Sequence, residues 1–224
     1  RGDAADCLIS GQGAQTLSDL ESAATLGTSS GRRAAQVLRV RPDVKIVALR
    51  GNVGTRLSRV LEEKLCVATL LAAAGLQRVG FAEHASHRLD PDVMLPAAGQ
   101  AALAIQCRAD DHVTLRRCMA LNHPLTATCV EAERHVVAAL GADCHTPIAA
   151  LAEAVEGDKL RLRARVLGRD GQTCLEMDEE APIRGARRLA HRVAEGLIGQ
   201  GAKALLQQDA RADAPVGTGT QPGK

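Results

Sequence analysis

The first half of the chain alternates between helical and strand-like patterns of apolar residues. The predicted strands cover residues 45–49 and 67–72, and the predicted helices cover residues 32–41, 56–64 and 73–79. Pro42 ends the first helix, Thr55 is placed to cap the second, and Gly80 closes the third. Strands and helices that alternate in this way predict a parallel sheet covered on both faces, and therefore an α/β domain.

The second half predicts a different, smaller domain. A crossing segment with two prolines, residues 89–98, precedes a predicted strand at residues 101–107 and a predicted helix at residues 110–121. A boundary falls at residues 122–124. Beyond it the predicted elements are helix 126–140, strands 148–155, 159–167 and 172–177, and helix 184–198. This order predicts a small α+β domain with a three-stranded antiparallel sheet, and the composition from residue 209 onward predicts a disordered tail.

Bulk composition narrows the classes of function. The longest apolar stretch, residues 66–75, is shorter than the roughly 20 residues that cross a membrane, and the polar N-terminal residues do not predict a signal peptide. Seven cysteines without a CxxC pair are typical of reduced thiols in a cytoplasm. The net charge is +2 and Phe81 is the only Phe, Trp or Tyr residue, which argues against nucleic-acid binding. The chain begins with Arg1 rather than Met, so we expect a fragment or a processed product.

A small-polar motif, GTSSGRR at residues 27–33, leads into the first predicted helix. Hydroxyls and backbone N–H groups at a helix N-terminus bind anions, and guanidinium groups bind carboxylates. The candidate contacts are Thr28, Ser29, Ser30, Arg32 and Arg33. Two cations at this end oppose the helix dipole, so an anionic ligand would relieve a cost. A surface turn with solvated arginines is the alternative that spacing alone leaves open.

A second motif, RGNVGTRL at residues 50–57, follows a predicted buried strand. Ligands in open α/β sheets bind at such carboxyl ends of strands. Gly51 and Gly54 allow a sharp turn and a close approach of a ligand, and Arg50 and Arg56 flank that turn. Only five of the 28 Lys and Arg residues are lysine. A GC-rich genome accounts for this excess of arginine as a whole, and recognition of carboxylate or phosphate by the planar guanidinium fork is the functional alternative.

One cysteine and one histidine pair are further candidates for chemistry. Cys144 lies in a predicted loop beside Asp143 and His145, where a thiol is accessible for covalent attachment. An inert buried cysteine is the alternative. His84 and His87 are three residues apart but lack a third ligand, so no metal site is expected.

Taken together and in this order, the motifs resemble the porphobilinogen deaminase family, also called hydroxymethylbilane synthase. The matching segments are GTSSGRR, RGNVGTRL, AAAGLQRVG, LPAAGQAALAIQCR, NHPLTATCVEAER and LGADCHTPI. The resemblance implies a periplasmic-binding-protein-like α/β domain at residues 1–99 and a return segment of an absent first domain at residues 100–122. It also implies an α+β domain at residues 123–208 that carries the cofactor cysteine, followed by the tail at residues 209–224.

The resemblance implies an enzyme of tetrapyrrole biosynthesis, a cytoplasmic monomer without nucleic-acid or membrane partners. Members of the family condense four porphobilinogens head to tail, release ammonia at each step, and hydrolyse the product free as hydroxymethylbilane. They carry a covalent dipyrromethane primer on a loop cysteine, which by motif is Cys144. The residues that by motif hold its carboxylates are Thr28, Ser29, Ser30, Arg32, Arg33, Arg50, Gly51, Arg56 and Gln100.

The departures from the family pattern are equally specific. No residue of this chain matches the catalytic aspartate, which belongs to the absent segment, so the chain alone is expected to be inactive. Residues 101–107 would lose their sheet and expose apolar surface. Gly31, Val67, Ala101 and Gln106 replace a Leu, an Asp, a Gly and an acid of the family pattern. The alternative function is a non-catalytic α/β module that binds a polycarboxylate or a tetrapyrrole-like anion.

Overall fold

The computed structural model describes residues 1–84, 87–141 and 146–212, and these residues form a five-stranded and a three-stranded sheet. The strands of the first sheet are β1 (Asp6–Ser10), β2 (Thr25–Gly27), β3 (Lys45–Val47), β4 (Ala68–Ala72) and β5 (His87–Arg88). Their order is β3-β2-β4-β1-β5. β2 is parallel to β3 and β4, whereas β1 is antiparallel to β4 and β5. The sheet is therefore mixed, which corrects the prediction of a parallel one.

The apolar pattern did not predict β1 and β2. All five residues of β1 are buried, although Asp6 is charged. β2 has only three residues, directly before the polar segment that follows. The charged first residue of β1 and the short length of β2 both weaken the alternation of apolar and polar residues that predicts a strand. These strands are therefore defined by their pairing in the sheet. That pairing places Asp6 opposite Ala72 and Leu26 opposite Ala68.

Three helices accompany the first sheet: α1 (Gly31–Val40), α2 (Val53–Leu61) and α3 (Ala73–Arg78). The bounds of α1 and α3 agree with the sequence prediction within one residue. α2 begins three residues earlier than predicted, and its cap is Asn52 rather than Thr55. The Asn52 side chain accepts a hydrogen bond from the Thr55 backbone N–H at 2.9 Å, which is the usual role of an N-cap asparagine.

Residues 101–107 form no strand, contrary to the sequence prediction. A strand needs a neighbour to take its backbone hydrogen bonds, and no described strand pairs with this segment. Leu103 is 73% exposed and Ile105 57%, so the expected exposure of apolar surface is confirmed. Helix α4 (His112–Met119) follows. As predicted, it begins at an acidic residue: the Asp111 side chain caps the helix by accepting a hydrogen bond from the Thr114 backbone N–H.

The C-terminal half forms the expected small domain. Its elements are α5 (Pro124–Ala139), β6 (Ile148–Val155), β7 (Lys159–Leu167), β8 (Cys174–Pro182), α6 (Ala186–Gly199) and α7 (Ala202–Ala212). β6, β7 and β8 form an antiparallel sheet in that order, and the bounds of β6 and β7 match the prediction. β8 continues past the predicted end at Met177. α7 was not predicted, and its last turn, residues 209–212, corrects the expected start of the disordered tail. Residues 213–224 lie outside the described residues.

Helices α5 and α6 cover one face of the second sheet. Leu162 and Val166 of β7 pack against Val136 and Leu189 of these helices, and all four side chains are fully buried. Because side chains alternate along a strand, Arg163 and Arg165 of β7 point to the opposite face, toward the first domain. Within the described residues, no helix has both the length and the apolar character needed to cross a membrane.

Buried polar contacts around Gln36 of α1 join the two domains. Gln36 Oε1 accepts hydrogen bonds from the Leu95 backbone N–H at 2.9 Å and from Arg165 Nη1 at 2.7 Å, and Gln36 Nε2 donates to the Leu95 carbonyl at 3.1 Å. Gly171, in the turn between β7 and β8, packs directly on α1, since a Cβ at this position would lie 2.5 Å from Arg39 N. The C-terminal domain thereby fixes the helix that begins at the predicted anion site.

Candidate anion-binding site

The segment between β2 and α1 is held by its own hydroxyl groups. The Thr28 hydroxyl oxygen accepts from the Ser30 backbone N–H at 3.1 Å, and the Ser30 hydroxyl caps α1 by accepting from the Arg33 N–H at 3.4 Å. The Ser29 hydroxyl donates to the Leu49 carbonyl at 3.1 Å. The three hydroxyls therefore shape the loop at the start of α1. The backbone N–H groups of residues 29, 31 and 32 donate to no described acceptor, so this helix end can bind an anion.

Arg32 is buried and bound to groups of the protein itself. Its Nη1 donates to the Leu95 carbonyl at 2.7 Å and lies 2.8 Å from Asp6 Oδ2. Its Nη2 donates to Gln100 Oε1 at 3.3 Å. The side chain is only 5% exposed. Arg32 thus ties the start of α1 to the Leu95 and Gln100 segment and leaves little of its guanidinium for a ligand.

Arg33 binds the same carboxylate from the other side. Its Nε and Nη2 donate to Asp6 Oδ1 at 3.2 and 2.7 Å. Gln100 Nε2 also donates to Oδ1, at 3.1 Å, and is itself fixed by the Ala4 carbonyl at 2.6 Å. Sequence reasoning missed Asp6, although an acid at the start of a buried apolar run, DCLIS, signals a buried charge that needs a cation.

The RGNVGTRL turn brings two further arginines to this end of the sheet. Gly51 has φ +117°, and a Cβ there would lie 2.7 Å from Thr55 Cγ2, so the turn requires glycine. The Arg56 Nε donates to the Gly51 carbonyl at 2.8 Å. The Arg50 side chain is exposed and makes no hydrogen bond to another described residue.

Arg56 and Arg33 influence each other electrostatically. Burial lowers the pKa of Arg56, and the positive charge of Arg33 lowers it further. Like charges repel one another, and an anionic ligand near both would relieve the repulsion. Arg32, Arg33 and Arg56 carry three positive charges against the one negative charge of Asp6. The site therefore has a cationic excess at a helix N-terminus, which suits an anionic ligand.

The buried carboxyl of Asp6 gives a prediction about pH. Burial raises its pKa, but Arg32 and Arg33 lower it more, so the net shift is downward. A carboxyl with a depressed folded pKa stabilises the fold above its unfolded pKa of about 3.9, and this contribution is lost as the pH falls through the folded pKa. Asp6→Asn should therefore lower the free energy of unfolding at neutral pH, and its difference from the parent should shrink below about pH 4.

Urea unfolding followed by circular dichroism, at neutral pH and at steps through the acid range, measures that difference. Asp110→Asn is the control, because Asp110 is an exposed aspartate of the segment before α4 and should change the unfolding free energy little at any pH. A difference between Asp6→Asn and the parent that stays constant with pH would contradict the ion-pair role of Asp6.

The remaining predicted site residue, Cys144, lies outside the described residues. The six described cysteines, residues 7, 66, 107, 118, 129 and 174, are free thiols. No group of three or more His, Cys, Asp or Glu side chains in the described part of the chain has the arrangement of a metal site. The structure thus brings Arg32, Arg33, Gln100 and Arg56 into one region and adds Asp6 to it.

Comparison with known proteins matches this chain to two family models. Residues 1–116 match the model described as "Porphobilinogen deaminase, dipyromethane cofactor binding domain", and residues 127–199 match "Porphobilinogen deaminase, C-terminal domain". Among curated proteins, the porphobilinogen deaminase of Legionella pneumophila strain Philadelphia 1 is 43% identical over 201 residues, which is 90% of this chain and 64% of the relative.

Two other relatives with the same name give a similar result. The protein of Geobacter metallireducens is 41% identical over 208 residues, or 93% of this chain and 64% of the relative. That of Sphingopyxis alaskensis is 47% identical over 173 residues, or 76% of this chain and 54% of the relative. The chain therefore spans less than two thirds of the length of the curated relatives it matches.

Proposed function

Because this chain belongs to the porphobilinogen deaminase family, we propose that it acts in tetrapyrrole biosynthesis, as the part of a hydroxymethylbilane synthase that holds the growing pyrrole chain. The reaction joins four porphobilinogens head to tail, with loss of ammonia at each step. The observation that carries the proposal is the cationic excess at the start of α1, where Arg32 and Arg33 share one carboxylate, Asp6, beside backbone N–H groups without a described acceptor. Each pyrrole of the chain bears two carboxylates, so several guanidinium groups in one region fit this ligand.

The residues present fit the dipyrromethane group that the family model names. When bound, dipyrromethane supplies the terminal pyrrole to which the next porphobilinogen is joined. We assign its covalent attachment to Cys144. Arg33 and Arg56 would hold a carboxylate between them, and the exposed Arg50 would reach a second one. Arg32, Ser29 and Ser30 would support the site from within, because their side chains already bind protein groups.

These side chains bind and orient rather than transfer protons. A guanidinium stays protonated in proteins, so Arg33, Arg50 and Arg56 neutralise carboxylates and fix the position of the pyrrole rings. No residue of this chain matches the catalytic aspartate of the family. We therefore expect the 224 residues alone to form no hydroxymethylbilane from porphobilinogen.

We extend the proposal to the type of the first domain, the cellular location, the oligomeric state and the partners of the protein. The first domain would be of the periplasmic-binding-protein type, which the parallel strands β2, β3 and β4 support, with arginines after the carboxyl ends of β2 and β3. The protein would be a cytoplasmic monomer that takes a small-molecule substrate. Its net charge of +2 and single Phe residue are consistent with the absence of a nucleic-acid partner. The enzyme name of the matched relatives favours this function over a non-catalytic module.

The proposal is tested by covalent loading of the full chain. The protein is incubated with hydroxymethylbilane, washed under denaturing conditions and treated with acidic Ehrlich's reagent, which colours pyrroles with a free α-carbon. We expect colour with the parent and with Cys174→Ser, since Cys174 is a thiol outside the motifs, and no colour with Cys144→Ser. An uncoloured parent, or equal colour in Cys144→Ser, would refute covalent attachment at Cys144.

A further inference from the structure

We propose that Asp6 is a positioning residue of the anion site, which holds Arg33 so that one edge of its guanidinium faces a ligand carboxylate. The inference rests on the proposed function, because it concerns how that site recognises its anion. Nothing in the motifs assigns Asp6 a role, and it lies on β1 rather than on the arginine-containing segments.

The contacts of Arg33 divide its guanidinium into two edges. Nε and Nη2 both donate to Asp6 Oδ1, at 3.2 and 2.7 Å, so that one edge is committed to the carboxylate. The remaining nitrogen, Nη1, belongs to the other edge. The positive charge of Arg33 also lowers the pKa of Arg56, so the two guanidinium groups act on each other electrostatically. The Arg33 side chain is only 11% exposed, so in the proposed role a ligand carboxylate would bind at this other edge, without displacing Asp6.

Asp6 itself is rigidly placed. It is fully buried and its backbone pairs with Ala72 across the sheet. Gln100 Nε2 donates to Oδ1 at 3.1 Å, and Arg32 Nη1 lies 2.8 Å from Oδ2, so Oδ1 is held by hydrogen bonds and Oδ2 by an ion pair. A carboxylate held from a strand, a helix and a connecting segment orients its cations more firmly than a solvated counter-ion would.

The competing view treats Asp6 as an internal anion that only offsets positive charge. The two views predict opposite changes in anion affinity when the charge of Asp6 is removed. If Asp6 merely weakens the positive potential, its neutralisation should tighten anion binding. If Asp6 positions Arg33, the same change should release the guanidinium and weaken binding, despite the increase in net positive charge.

The experiment measures binding by isothermal titration calorimetry in the full chain with Cys144→Ser, which prevents covalent attachment. The probes are porphobilinogen and succinate, a plain dicarboxylate. Asp6→Asn should weaken binding of both about tenfold, the usual scale for one charge-assisted hydrogen bond. Asp43→Asn is the matched control: it removes the same charge from an aspartate paired with Arg41 at 2.8 Å in the same domain, and should leave affinity within about twofold.

Arg33→Gln tests whether Asp6 acts through Arg33. In that background Asp6→Asn should cause no further loss of affinity, because the side chain that it positions is gone. If the protein with Asp6→Asn alone does not fold, the affinities of Arg33→Gln and of the double variant, Asp6→Asn with Arg33→Gln, are compared instead. Unchanged or tighter binding in Asp6→Asn, or a further loss in the double variant, would overturn the inference.

The two probes separate this inference from the proposed function. Succinate binding that depends on Asp6, together with no binding of porphobilinogen, would reject the pyrrole ligand and keep the positioning role. Absence of binding by both probes in the parent would reject both. The expected result is that both probes bind the parent and that both respond to Asp6→Asn alike.

Discussion

Replacing Glu133 by glutamine should lower the free energy of unfolding by about 3 kcal/mol, because it removes the charge from a fully buried carboxylate with four hydrogen bonds. Oε1 accepts from Arg1 Nη1 and from the Ala152 backbone N–H at 2.8 Å. Oε2 accepts from the Gly99 N–H at 2.6 Å and from Arg1 Nη2 at 3.2 Å. A glutamine keeps the shape, but its NH2 group would face one of these donors.

The loss should be specific to this position on α5. Glu131→Gln removes the same charge from the same helix at an exposed site, and should change the unfolding free energy by less than about 0.5 kcal/mol. Urea unfolding at neutral pH measures both variants. A Glu133→Gln protein as stable as Glu131→Gln would show that the buried carboxylate contributes little, and that the Gly99 segment is held to β6 by other contacts.

Gly171→Ala should be the second severe change, because it inserts a methyl group into the contact between the two domains. The new Cβ would lie 2.5 Å from Arg39 N and 2.6 Å from the Ala35 carbonyl oxygen, and backbone atoms of a helix cannot move aside cheaply. Gly171 also has φ +73°, which costs another residue about 1 kcal/mol. We expect a total loss of about 3 kcal/mol or more in the free energy of unfolding.

Gly157→Ala is the matched control for this clash. Gly157 lies in the turn between β6 and β7 with φ +76°, and a Cβ there would meet nothing within 4 Å. It should therefore show the backbone strain alone, about 1 kcal/mol. Thermal unfolding of the two variants and the parent provides the comparison. Equal losses in both variants would mean that the turn after β7 can withdraw from α1 without cost.

The second domain was predictable because buried and charged residues alternate along its central strand. In β7 the buried residues Leu160, Leu162 and Ala164 alternate with arginines, and such a period of two is typical of a strand with one buried face. β1 and β2 were missed because neither a buried charge nor a three-residue strand produces a period. Residues 101–107 were predicted as a strand but form none, because an apolar run becomes a strand only beside a partner strand.

The candidate site was predictable as a set of residues but not as a set of contacts. The motif GTSSGRR contains two adjacent arginines that look equivalent, yet Arg32 binds Leu95 and Gln100 as well as Asp6, while the described hydrogen bonds of the Arg33 side chain all go to Asp6. Which donors remain for a ligand depends on acceptors that are distant in sequence. Asp6 is 27 residues from Arg33, and only the sheet brings them together.

The amide of Gln36 sets a limit on how independent the two domains are. It is fully buried, and its partners come from α1 itself, from the Leu95 segment and from β7 of the other domain. The first domain alone keeps the bonds of this amide to Arg32 and Leu95, but separation would break the bond from Arg165 and expose a polar core position on one side and the Arg165 guanidinium on the other. The two domains, which the sequence divides near residue 122, therefore share one buried polar position whose hydrogen bonds are complete only when they are together.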